Sequence, residues 1–90
     1  MSEPKFTPGP WRVGKSIYQS QARVVAEKGG RVADVFAYEE DQDHANAALI
    51  AAAPEMYELL DELDKATTAA EIDALYTRIP ALLKKARGEK

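Results

Sequence analysis

Six of the nine residues from Ala45 to Ala53 are alanine, and Pro54 follows them directly. No other feature of the chain limits its fold as strongly. Alanine has the highest helix propensity and a small, smooth surface that permits close packing. Proline lacks the amide proton a helix interior needs, and it biases the residue before it away from helical geometry. The run predicts a helix from about His44 to Ala53 that ends or bends there. A second helix then starts with Pro54 as its first residue and continues to about Lys65. Along it Met56, Leu59, Leu60 and Leu63 recur at helical spacing, which predicts a buried stripe. Glu55, Glu58, Asp61, Glu62 and Asp64 occupy the opposite side.

Upstream the pattern is that of strands. Residues 1–10 hold three prolines, and Thr7-Pro8-Gly9-Pro10 is excluded from a helix, so 1–10 forms a Pro-rich lead-in that positions Trp11 as a core anchor. Trp11-Arg12-Val13, Ala22 to Ala26 and Arg31 to Tyr38 are rich in strand formers. Ile17-Tyr18 either extends the first run or opens a turn. Between the second and third runs, Glu27-Lys28-Gly29-Gly30 carries a Gly-Gly hairpin signal. The expectation is a three-stranded antiparallel meander over 11–38. Val32, Ala33, Val35, Phe36 and Tyr38 do not alternate strictly, so the buried face of the sheet stays open.

The connector Glu39-Glu40-Asp41-Gln42-Asp43 sets carboxylates at a helix start, with Asp41 or Asp43 as the expected N-cap. Thr68-Ala69-Ala70-Glu71 has capping-box spacing. It opens a third helix over 68–87 that Pro80 kinks or splits near Ile79. Lys84, Lys85 and Arg87 suit its C-terminal end, and Gly88 stops it. The fold class expected is α+β: one domain over 1–90, with an N-terminal antiparallel sheet covered on one face by two or three helices from 43–87.

A 90-residue domain builds a thin core, and here 16 residues are alanine, which adds little burial energy per side chain. A homodimer or a bound partner is therefore an expected supplement to stability. The chain has no cysteine, which excludes disulfides and thiolate metal sites. Met1 to Phe6 lack a signal-peptide pattern, and no stretch is apolar enough to span a bilayer. A cytoplasmic protein with no membrane partner is expected. The net charge of −3 divides unevenly: residues 1–38 carry +3, residues 39–64 carry −9 and residues 65–90 carry +3.

No constellation of residues specifies catalysis. His44, the single histidine, stands between acidic neighbours with no partner nucleophile, so it reads as a surface residue. A calcium loop starting at Asp41 would need glycine and glutamate where Asn46 and Ala52 stand. The five glycines have no phosphate-loop spacing. No catalytic, cofactor or metal residue is assigned, and a non-enzymatic protein is expected. Two surfaces could serve binding. The acidic face of the second helix, with Glu55, Glu58, Asp61 and Glu62, suits a protein partner with basic groups. The alternative is a nucleic-acid surface built from Arg12, Lys15, Arg23, Lys28 and Arg31 on the sheet, with Trp11, Tyr18 and Phe36 nearby; the acidic balance of the chain makes it the lesser reading.

Two motifs taken together resemble a group of small proteins encoded by tailed bacteriophages and prophages. They are Thr7-Pro8-Gly9-Pro10-Trp11-Arg12-Val13 and the segment from Asn46 through Ala53-Pro54-Glu55 to Leu60. The resemblance covers roughly 6–63 and leaves 68–87 outside. It implies a setting, a phage accessory protein in the cytoplasm of a bacterial host. Small phage proteins commonly act by binding and blocking host proteins, defence systems included. It carries no catalytic residue over. In fold terms, Asn46 is expected to bond backbone at the helix start, Leu49 and Ile50 to pack inward, and the alanines to approach the sheet closely.

Overall fold

The computed structural model describes residues 5–15, 22–36 and 40–89, without the side chains of Lys15, Glu40 and Asp41. The expected continuation at Ile17-Tyr18 and the end of the third strand at Tyr38 lie outside the described residues.

Three strands, β1 (Trp11–Lys15), β2 (Ala22–Ala26) and β3 (Arg31–Val35), form an antiparallel sheet in the order β1-β2-β3. The Gly-Gly turn forms as expected: Gly29 and Gly30 take φ of 108° and 100°, and the Ala26 amide donates to the Gly30 carbonyl at 3.0 Å. Only glycine adopts such angles without strain. A bulge between Val24 and Val25 shifts the β2–β3 register, so that Val25 faces Arg31.

Register settles which face is inward. Ala22, Val24 and Ala26 are buried on alternate positions of β2. Opposite them stand Val13 and Trp11 on β1 and Val35 and Ala33 on β3. The other face carries Arg12, Arg23 and Asp34. Helix α1 (Glu40–Ala51) lies on the inward face and contacts all three strands. Ala47 and Ala51 meet Val24, Ala22 and Val35 there, with Trp11, Val32, Ala33 and Ile50 at the margin. Val24 is the one sizeable side chain among the described residues that is fully enclosed. The core is thin because alanine lines one side of it.

Helix α1 departs from expectation at its start. It begins at Glu40, so Asp41 and Asp43 lie inside it and Asn46 sits exposed in its middle. Asp43 is an i−4 neighbour of Ala47, which carries it onto the inward stripe, only 3% exposed. Its Oδ1 accepts from the His44 amide at 2.8 Å. The same periodicity turns Leu49 outward, 54% exposed, while Ile50 packs at the core margin. Inward packing holds for Ile50 and fails for Leu49.

The break comes at Ala52, and α2 (Ala53–Lys65) carries Pro54 as its second residue. Two short helices follow, α3 (Ala69–Tyr76) and α4 (Ile79–Ala86), with Pro80 again second in its helix. The region 68–87 is thus split rather than kinked. Thr68 caps the helix as expected: the Glu71 amide donates to Thr68 Oγ1 at 3.1 Å, and the Thr68 hydroxyl in turn donates to Glu71 Oε1 at 3.0 Å. Thr68→Ala is expected to lower stability by about 1 kcal/mol in chemical denaturation. Helix α2 packs on α1, α3 and α4, and α4 returns to α1. Close to that contact Gly88 adopts φ of 74°, and a Cβ there would stand 3.2 Å from the Cβ of Ala48.

Candidate functional site: the exposed faces around α2

The lead-in folds back against the corner between α1 and α2. A Cβ on Gly9 would lie 2.7 Å from the Cβ of the buried Pro54, so only glycine fits without displacement. Trp11 Nε1 donates to the Thr7 carbonyl at 3.1 Å. Phe6 packs edge-on against Trp11, centroids 6.3 Å apart, and against Tyr57 at 5.1 Å. The Pro10 carbonyl accepts from the Glu27 amide at 3.0 Å, which ties the same segment to the end of β2. The two motifs that stand some 40 residues apart in the chain are therefore one contact in space. That contact holds sheet and helices together, and beside it Arg12, Val13, Ala48 and Ala51 of the two motifs line an open cleft of about 420 Å³ with Ala81, Lys84 and Lys85 of α4.

Most of the acidic stripe on α2 is engaged from within. Glu55 is half-buried and accepts from Lys85 Nζ at 2.5 Å, and its Oε2 has no hydrogen-bond partner among the described residues. Glu62 pairs with Arg78 across from α3, and Asp61 pairs with Lys65 at 2.8 Å along α2. Glu58 is exposed and makes no ion pair among the described residues. The −9 segment and its basic C-terminal flank thus partly neutralise each other; Glu58 and Asp64 remain outward on α2, and Glu58 stands beside exposed Tyr57.

The basic sheet face divides in a similar way. Arg12, Arg23 and Arg31 share the side away from α1, but Asp34 pairs with Arg23 at 2.9 Å and with Arg31 at 3.3 Å. Lys28 lies apart, exposed in the hairpin, and the side chain of Lys15 is outside the described residues. Trp11 belongs to the inward face and packs with Phe6, and Tyr18 is outside the described residues. The structure brings three arginines together on one face, and Phe36, 69% exposed just past β3, is the one expected aromatic that is described and open to solvent near them.

One surface was not foreseen. Met56, Leu59 and Leu60 of α2 and Ile79, Leu82 and Leu83 of α4 line an almost wholly apolar groove of about 190 Å³. Leu60 is 67% exposed and Leu83 45%. The expected buried stripe on α2 therefore fails at Leu60, because the single short helix α4 covers only the Leu59 side. Neither α3 nor α4 has a buried residue.

Among the described residues, no group of three or more His, Asp or Glu side chains converges to hold a metal, and His44 is exposed. Among the described residues, no helix is long and apolar enough to cross a membrane. The family model for Salmonella phage P22 protein Y8K6 matches residues 1–90. The match includes α3 and α4, which the resemblance by motif had left out. No curated protein and no solved structure matches the chain.

Proposed function

This chain belongs to the family of Salmonella phage P22 protein Y8K6, and from that premise we propose that it is a non-enzymatic accessory protein acting in the bacterial cytoplasm by binding another protein. Components of host defence are the first class of partner to test. One observation carries the reading: Tyr57, 46% exposed, stands next to the outward Glu58 on a helix whose other carboxylates are largely committed to internal pairs. Aromatic residues with a charged neighbour are typical anchors of protein interfaces. Phe6 braces the Tyr57 ring edge-on, which lowers the entropy lost when a partner orders it. The partner would offer basic or hydrogen-bond-donating groups to Glu58.

The test is affinity capture from host lysate, with and without nuclease, using the natural chain and Tyr57→Ala/Glu58→Arg. A specific protein should be retained through nuclease treatment and should fall at least about tenfold with the double variant, the loss of one hot spot. The chosen positions leave the Glu55–Lys85 and Glu62–Arg78 pairs intact, and Glu58→Arg alone also keeps the Phe6–Tyr57 contact, so it serves as the control for folding. Capture that vanishes with nuclease would favour the arginine face of the sheet instead. Capture unaffected by the double variant would refute the Tyr57–Glu58 surface.

A further inference from the structure

We infer that the α2–α4 groove is covered by a second copy of this chain, related by a two-fold axis along the groove. The chain exposes 6786 Å², whereas a monomer of 9.9 kDa is expected to expose about 5200 Å². The difference, about 1600 Å², is roughly twice what a standard interface takes from each partner. Its Cα radius of gyration is 14.9 Å, against about 12 Å for a compact chain of this length. Part of the exposed apolar surface has an identifiable place among the described residues. Helices α3 and α4 have no buried residue, and the groove between α2 and α4 presents Leu60 and Leu83 to solvent.

Charge selects the occupant. Beyond Leu60 the rim of the groove on α2 carries Asp61 and Asp64, and Asp64 stands one turn from Leu60. Beyond Leu83 the rim on α4 carries Lys84 and Arg87, and Arg87 stands one turn from Leu83. Asp61 pairs with Lys65 and Arg87 approaches Glu89 at 3.9 Å, which leaves the α2 rim acidic at Asp64 and the α4 rim basic at Lys84. A two-fold axis along the groove lays the α2 rim of each copy against the α4 rim of its mate, so every acidic edge meets a basic one. The two helix pairs then enclose the leucines as a four-helix bundle. This pairing does not depend on the Tyr57–Glu58 reading, although Tyr57 stands one turn from Leu60 and Asp61 and so adjoins the same rim.

Sedimentation equilibrium on the full chain tests the inference. At tens of micromolar the mass should be about twice 9.9 kDa. Leu60→Glu/Leu83→Glu should return the mass to that of one chain. A second set guards against a folding defect. Asp61→Lys/Asp64→Lys and Lys84→Glu/Arg87→Glu should each weaken self-association about tenfold or more by like-charge apposition. Mixed in equal amounts, the two should form a heterodimer, because each rim of one then faces its opposite on the other. A natural chain that remains monomeric would overturn the inference. So would a dimer indifferent to the leucine changes, or reversed-charge chains that fail to pair with each other.

Discussion

Val24→Ala should lower the stability of the folded chain by about 2–3 kcal/mol. Two buried carbons account for about 1.6 kcal/mol of lost transfer energy, and the cavity adds the rest. For a chain of this size that is a fall in melting temperature of about 10–20 °C. The effect is large because Val24 is the one sizeable side chain among the described residues that is fully enclosed, set between Ala47 and Ala51 of α1 and the neighbouring strands. Alanine on the helix side has no longer side chain with which to refill the space. Thermal melts at fixed protein concentration read the result, since any self-association makes the midpoint concentration-dependent. A shift below about 3 °C would mean that α1 does not close on the sheet at Val24.

Gly9→Ala should cost about 1–3 kcal/mol, the range for forcing extra atoms into packed space. The new Cβ would stand 2.7 Å from the Cβ of Pro54 and 3.2 Å from its Cγ. Neither side can yield easily. Pro54 is buried at the start of α2, and the lead-in is held by the Trp11–Thr7 hydrogen bond and by the Phe6 ring. The same substitution should leave the outward Tyr57–Glu58 surface chemically unchanged. Partner capture well below the melting temperature should therefore survive it, whereas Glu58→Arg, which leaves the Phe6–Tyr57 contact in place, should weaken capture and keep the melting temperature.

Local rules located most of the elements. Gly29-Gly30, the Thr68–Glu71 box and the two prolines are signals whose physics acts within a few residues. Each sits where its chemistry required, with Pro54 and Pro80 both second in their helices. The start of α1 was not legible because five consecutive polar residues, Glu39 to Asp43, serve equally as loop or as first helical turn. Asp43 lands on the inward stripe by periodicity alone. The inward face of the sheet became clear only through register, since β3 does not alternate.

The acidic stripe illustrates a different limit. The sequence places Glu55, Glu58, Asp61 and Glu62 on one side of a helix, but which of them are available depends on contacts 16 and 30 residues away, through Arg78 and Lys85. No spacing rule reports those. Leu60 is the converse case. Its periodicity is that of a core residue, and it is exposed because none of the described elements covers it. A stripe wider than its neighbour can bury is a signal of association, but its width is known only once the neighbour is placed.

The two motifs are halves of a single contact, Gly9 on Pro54, and so report the fold, whereas the binding surfaces we propose lie around α2. A double-mutant cycle tests that most directly. Stability is measured for the natural chain, Gly9→Ala, Pro54→Gly and the combined variant. If the cost of Gly9→Ala comes from the Pro54 ring, removing the ring should relieve it, and the two effects should be coupled by about 1 kcal/mol or more. Effects that add to within about 0.5 kcal/mol would show that the motifs act independently and would contradict their being one structural unit.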